Sequence, residues 1–103
     1  MKAYRVDRHK RFQTDLEKQI DWWGERVPLR AEALLDAAEA AVEALSQFPE
    51  RGHAVLVGGA WSLTERSYAV GETGYLILYR VQHEKERIVL LRFRHEAQRP
   101  LKR

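Results

Sequence analysis

In the last third of this chain two runs of side chains are too apolar for a surface strand, and arginines break into both. Residues 75–81 read Tyr-Leu-Ile-Leu-Tyr-Arg-Val, residues 87–94 read Arg-Ile-Val-Leu-Leu-Arg-Phe-Arg, and residues 82–86 between them are a polar turn. Such runs predict strands in the middle of a sheet. Yet Arg80, Arg92 and Arg94 interrupt them. A guanidinium inside a core strand is costly unless it reaches a partner or water. The expectation is a small sheet that presents guanidinium groups outward on one part of its surface, and function is sought there.

Ahead of these runs the spacing is helical. Residues 1–6 alternate as a short strand, with Ala3 and Arg5 set against Tyr4 and Val6. Asp7 suits a helix N-cap, because its carboxylate accepts from first-turn amides. Phe12, Leu16, Ile20, Trp23 and Val27 then fall on one helical stripe. Gly24 weakens that helix near its end. Pro28 suits the first turn of a second helix, where its missing N–H would be unpaired anyway. The second helix, residues 29–48, is alanine-rich, with Leu34, Ala38, Ala41, Leu45 and Phe48 on one side and Leu35 and Val42 beside them. Pro49 and Gly52 end it. Two helices joined this closely form an antiparallel hairpin.

After residue 53 the period shortens. Residues 54–57 are short and apolar, Gly58-Gly59 turns the chain, residues 61–70 read as a strand, and residues 71–74 turn into Tyr75. The order is β-α-α-β-β-β. Three sequential strands form an antiparallel meander, the N-terminal strand joins its edge, and the helical hairpin covers one face, giving an α+β two-layer sandwich. Strict alternation puts Arg80, Arg92 and Arg94 in phase with Leu76, Leu78, Ile88 and Leu90. Which phase faces the helices is left open, and a bulge would shift it.

At 103 residues the chain is read as one domain, residues 1–103. It has no cysteine, which excludes disulfides and thiolate metal sites and suits the cytoplasm. No run reaches the length of a membrane span, and the first residues lack the apolar core of a signal peptide, so no membrane partner is expected. The net charge of +3 is unevenly placed: residues 1–50 carry eight Lys/Arg against ten Asp/Glu, and residues 51–103 carry ten against five, a net +5. The cationic half suits nucleic acid or an acidic protein segment, or it is a solvated basic tail with no ligand.

Specific chemistry is sparse. His9, His53, His83 and His95 have no paired spacing, so a metal site is not expected, and nothing points to a cofactor. The glycines sit in turns rather than in a phosphate loop, and no Ser or Cys nucleophile has a motif around it. Trp22 and Trp23 point about 100° apart on a helix; Trp23 lies on the apolar stripe, and Trp22 reads as packing more than as a partner contact. Trp61 suits an interface or edge packing equally. Arg66, Arg80, Arg92, Arg94, His95 and Arg99 remain as candidates. Together they suit forked hydrogen bonds to phosphate or carboxylate, and with His95 as proton shuttle the set would serve phosphodiester cleavage. A binding surface needs fewer assumptions, and some of these arginines are expected only to tie down strand ends.

The order of these pieces resembles the RelE/ParE superfamily of bacterial toxins from type II toxin–antitoxin modules, nearest the ParE branch. The resemblance spans most of the chain: an opening strand, a helical hairpin, a helix exit Leu45-x-x-Phe48-Pro49-x-x-Gly52, Arg66 leading into Gly74-Tyr75 and Tyr79-Arg80-Val81, and a close through Arg92, Arg94 and His95 to Arg99-Pro100. RelE-like members are ribosome-dependent mRNA endonucleases that use basic residues and usually a C-terminal aromatic. ParE-like members poison DNA gyrase. Here no Tyr or Phe follows His95 and no lysine pair precedes Arg66, which counts against the nuclease. The resemblance therefore implies a gyrase inhibitor without catalytic residues of its own. It implies neutralisation by a cognate antitoxin whose acidic, disordered segment folds over the toxin, within a toxin–antitoxin hetero-oligomer. An RNA-cleaving toxin and a non-toxic α+β binding module stand as alternatives.

Overall fold

The apolar run at Tyr75 becomes the hub of a five-stranded sheet. The computed structural model describes residues 2–96. Its elements are β1 (Arg5–Arg8), α1 (Lys10–Gly24), α2 (Pro28–Gln47), β2 (His53–Val57), β3 (Ala60–Ala69), β4 (Tyr75–Gln82) and β5 (Arg87–His95), with a 3-10 turn, His83–Lys85, before β5. The sheet order is β1-β5-β4-β3-β2. β2 to β5 run as an antiparallel meander, and β1 lies parallel to β5 at one edge. The expected α+β sandwich is what forms, with one strand more than the three-stranded meander: residues 54–57 belong to β2, held to β3 across a two-glycine turn. Gly58 and Gly59 both take positive φ, 61° and 85°, the backbone that a two-residue hairpin turn requires.

Both helices lie on one face. Phe12 and Leu16 of α1 and Ala31, Leu34, Ala38, Ala41 and Leu45 of α2 are buried, the spacing of one continuous stripe. Against them the sheet sets Tyr75, Ile77, Tyr79 and Val81 from β4 and Ile88, Leu90 and Phe93 from β5. Phe12 meets Phe93 edge-on at 6.0 Å, and Tyr75 stacks on Phe93 at 5.1 Å. The alanines of α2 let it pack closely on α1, the helix that lies against β5.

Several boundaries differ from the sequence reading. Asp7 is no cap. It lies within β1, opposite Val89, and its carboxylate takes Arg87 at 3.1 Å. His9 caps α1 instead, its Nδ1 accepting from the Arg11 amide at 3.0 Å. The first strand accordingly spans Arg5–Arg8 rather than residues 1–6; Met1 lies outside the described residues. Val27 leaves the helical stripe, because α1 stops at Gly24, and it stands 44% exposed. Phe48 and Leu35 are likewise exposed rather than packed, and Arg51 covers the Phe48 ring at 4.8 Å.

The bulge in β5 settles the phase of the arginines. Pairing runs Leu78 to Arg92 and then Tyr79 to Leu90, so Leu91 is the extra residue. Ile88 and Leu90 face the helices before it, and Phe93 and His95 after it. Arg92 and Arg94 fall in phase with Leu76, Leu78 and Arg80, on the side away from the helices.

The exit from α2 is tied to the middle of the sheet. The Tyr79 side chain is fully buried, and its hydroxyl donates to the Pro49 carbonyl at 2.7 Å and accepts from the Gly52 amide at 3.0 Å. A Cβ on Gly52 would lie 2.5 Å from the Ser67 carbonyl and 2.6 Å from that hydroxyl, so only glycine fits there.

Two predictions follow from this packing. Leu16→Ala should lower stability by about 2–5 kcal/mol in denaturant melts, as a buried leucine on a rigid stripe does; a loss within error would remove α1 from the core. Tyr79→Phe strands two backbone groups and should cost about 1–3 kcal/mol. It should also change the alkaline limb of stability. Burial holds the Tyr79 phenol above its ordinary 10.0, with the Gly52 bond opposing this more weakly. The folded state thus keeps a proton that the unfolded chain gives up. This contribution is intact below the ordinary tyrosine value and lost as pH rises through the folded one. Urea midpoints should therefore fall more steeply above about pH 10 in the parent than in Tyr79→Phe.

Candidate functional site: the open face of the sheet

With both helices on one side, the other side of the sheet is where the strands display polar groups. On β4, Leu76, Leu78 and Arg80 point there. Register places Arg94 opposite Leu76, Arg92 opposite Leu78, and Glu65 of β3 opposite Arg80. Arg80, Arg92 and Arg94 thus come from adjacent strands onto one face, and it is the bulge at Leu91 that takes Arg92 and Arg94 out of phase with Ile88 and Leu90, against strict alternation.

Their engagements differ. Arg80 pairs with Glu65 at 3.0 Å, with side chains 42% and 15% exposed. Arg92 reaches over the edge of β5 to Asp15 of α1, its Nε donating at 2.7 Å and its Nη2 at 3.2 Å. The same carboxylate accepts from the Phe93 amide at 3.1 Å. β1 covers β5 only as far as Leu90, so Asp15 satisfies the strand where its neighbour stops. The hydrogen bond to Asp15 holds the Arg92 guanidinium above its ordinary value, burial opposing it more weakly. Arg94 is different: its Nε is buried and has no hydrogen-bond partner.

The other candidates lie elsewhere. Arg66 sits opposite Tyr79, on the helix side, and donates to the Gly52 carbonyl at 2.7 Å and the Glu50 carbonyl at 3.4 Å. It fastens the start of β2. His95 is opposite Tyr75, also on the helix side, its ring edge-on to Tyr75 at 4.8 Å. It borders a cleft of about 430 Å³ whose other walls include Trp23, Arg30, Glu72 and Thr73. Arg99 lies outside the described residues.

The sequence reading missed two polar groupings. Arg5, Asp7 and Arg87 extend the open face at the β1 edge, with Arg87 and Arg5 sharing Asp7 at 3.1 and 3.8 Å. Their alternation in β1 was a usable signal. Tyr4, His83 and Glu50 form a hydrogen-bonded chain, Tyr4 hydroxyl to His83 Nδ1 at 2.8 Å and His83 Nε2 to Glu50 at 2.7 Å. These come from three distant segments, and no local pattern joins them. Trp22 is half exposed under Arg26 at 3.9 Å, and Trp61 is 67% exposed. Among the described residues no group of His, Asp or Glu side chains could hold a metal ion, and no helix is long and apolar enough to cross a membrane.

The chain is thus a helical hairpin on one face of a β1-β5-β4-β3-β2 sheet whose open face bears arginines. Comparison with known proteins gives its kinship. Residues 6–100 match the family described as the ParE toxin of the type II toxin–antitoxin system, parDE, and the chain belongs to that family. No curated protein matches it directly in sequence. Among solved structures it is similar to the toxin–antitoxin complex RelBE2 from Mycobacterium tuberculosis, with 28% identity, a TM-score of 0.66, and coverage of 95% of this chain and 97% of that one. It shares its fold with the chromosomal ParDE system from P. aeruginosa (16% identity, TM-score 0.71, 90% and 96% covered) and with the isolated E. coli RelE toxin (19%, 0.56, 96% and 89%).

The Asp15 clip yields a direct test. Asp15→Ala leaves Arg92 and the Phe93 amide without their acceptor and should lower stability by about 1–3 kcal/mol. Hydrogen exchange should quicken at Phe93 before it does in β4.

Proposed function

We propose that this toxin arrests growth by poisoning DNA gyrase, as an inhibitor with no catalytic residues of its own. The observation that carries the reading is the way the sheet divides its polar groups. Phosphodiester cleavage needs a proton-transfer group and a cation within reach of one phosphate. His95 lies on the helix side, while Arg80 and Arg94 lie on the open side. Arg66 shares the side of His95, but the β4 residues they flank, Tyr79 and Tyr75, are four apart, about 13 Å at strand rise. An inhibitor needs no such convergence; it needs a surface. Arg94, which is partly exposed, and half-exposed Arg80 are the residues we assign to the target, through charge-assisted bonds to phosphate or carboxylate. Arg66 and Arg92 support that surface from within, and His95 and Arg99 flank it in sequence.

The same reading includes a cognate antitoxin. RelBE2 was solved as a toxin–antitoxin complex. An acidic antitoxin segment is drawn to the half of this chain that carries +5 and folds over it in a cytoplasmic hetero-oligomer.

Two measurements test this. Purified toxin should inhibit gyrase supercoiling and leave message intact on translating ribosomes. Arg94→Ala should weaken inhibition by about tenfold, equivalent to ~1.4 kcal/mol. Message cleavage with unimpaired supercoiling would replace this reading with a ribosome-dependent mRNA endonuclease. Antitoxin association should slow by about tenfold between low and physiological salt, because steering charges are screened; a flat on-rate would remove electrostatics from the account.

A further inference from the structure

The chain of hydrogen bonds through Tyr4, His83 and Glu50 takes no part in the surface assigned to the target. Its members come from the N-terminal segment, the turn between β4 and β5, and the exit from α2. Each stands on anchored backbone. The Tyr4 amide donates to the Ser46 carbonyl at 2.9 Å, and Ser46 Oγ donates to the Tyr4 carbonyl at 2.8 Å. Glu50 lies between Pro49 and Gly52, whose backbone groups the Tyr79 hydroxyl holds. His83 opens the 3-10 turn before β5.

The direction of the chain follows from its far end. An ionised carboxylate only accepts, so the His83 Nε2 that meets Glu50 at 2.7 Å carries a proton. In the neutral ring Nδ1 is then bare, and it accepts from the Tyr4 hydroxyl at 2.8 Å. A hydroxyl thus faces a base whose other side is oriented by a carboxylate, the arrangement that activates a nucleophile. It borders a cleft of about 490 Å³, the size of a small-molecule site, whose walls include Phe48, Pro49 and Arg51. Phe48 is half exposed there. The Arg51 guanidinium lies over its ring and, among the described residues, pairs with no carboxylate. An apolar wall and an uncommitted cation therefore share one cleft with the hydroxyl.

We propose that Tyr4 is an acyl-acceptor site for acyl phosphates, with His83 as its base and Glu50 positioning His83. Such a donor joins an apolar chain to an anionic phosphate through a carbonyl, which suits Phe48 at one end and Arg51 at the other. In the step, Tyr4 Oη bonds to the acyl carbon and the phenolic proton passes to His83 Nδ1. The bond from that carbon to the phosphate oxygen breaks, and inorganic phosphate leaves with the electron pair. His83, whose side chain is 54% exposed, then releases the proton to water. The product is an O-acyl tyrosine. None of this depends on the cellular target.

The test is mass spectrometry of the purified full chain after exposure to acetyl phosphate or butyryl phosphate. Tyr4 should gain an acyl group that hydroxylamine removes, since hydroxylamine cleaves a phenyl ester and spares an amide. Butyryl phosphate should label faster, because its longer chain reaches Phe48. Tyr68 is the internal reference: it too is partly buried, and among the described residues its hydroxyl has no hydrogen-bond partner. Tyr4 should react at least about tenfold faster than Tyr68, a modest share of what a positioned base supplies. His83→Gln should remove most of that advantage. Glu50→Gln, which keeps an acceptor without the charge, should fall between the two. If the three residues only strap down the N-terminal segment, His83→Gln frees the Tyr4 hydroxyl and labelling speeds up, which would overturn the proposal. So would equal labelling of Tyr4 and Tyr68, a hydroxylamine-resistant acyl group on Lys2 of the same cleft in place of Tyr4, or transfer of phosphoryl and not acyl to Tyr4.

Discussion

The join between the helical layer and the sheet depends on one buried hydroxyl. Tyr79 lies at the centre of the central strand, in a layer where an unpaired oxygen would cost more than most single contacts contribute. Its hydroxyl has both its partners in the four residues that leave α2, the Pro49 carbonyl and the Gly52 amide. The exit motif is therefore a docking geometry as well as a helix stop. Gly52 brings backbone against the phenol, and Arg66 then takes the Gly52 carbonyl from the next strand. With that junction fixed, β2 has a starting point, and the meander proceeds back across the sheet to β5 and the β1 edge.

The legible parts of the chain were those where one period dominates. The helical stripes at Phe12, Leu16 and at Leu34, Ala38, Ala41, Leu45 carry their own spacing, and β4 and β5 are apolar enough to announce burial. What stayed hidden depends on contacts between distant residues. Asp7 has the chemistry of a cap, but parallel pairing with β5 and the Arg87 guanidinium draw it into β1. The Leu91 bulge has no glycine to mark it. Asp15 and Arg92 are 77 residues apart, so nothing local shows that this arginine has an internal carboxylate. The five candidates among the described residues, Arg66, Arg80, Arg92, Arg94 and His95, are divided between two faces, which no local pattern shows.

That division changes how the positive charge is understood. A net +5 in the second half suggests a uniform cationic surface. In the fold, Arg66 serves the β2 entry, Arg92 secures a strand edge, and Arg80 and Arg87 pair with carboxylates across strands. Long-range attraction survives this pairing, since the excess charge remains, but these guanidiniums already spend hydrogen bonds within the fold.

The extra residue in β5 has a further consequence, for inheritance. Removing Leu91, or adding a neighbour, would rotate everything after it by half a turn: Phe93 would leave the core, and Arg92 and Arg94 would be driven toward α1. Point substitutions on the open face carry no such penalty. Lineages descending from this chain can thus rewrite the chemistry of that face one side chain at a time, while the spacing from Leu90 to Phe93 stays frozen. Changes of target specificity within such a scaffold should be sought among substitutions and not among changes of strand length.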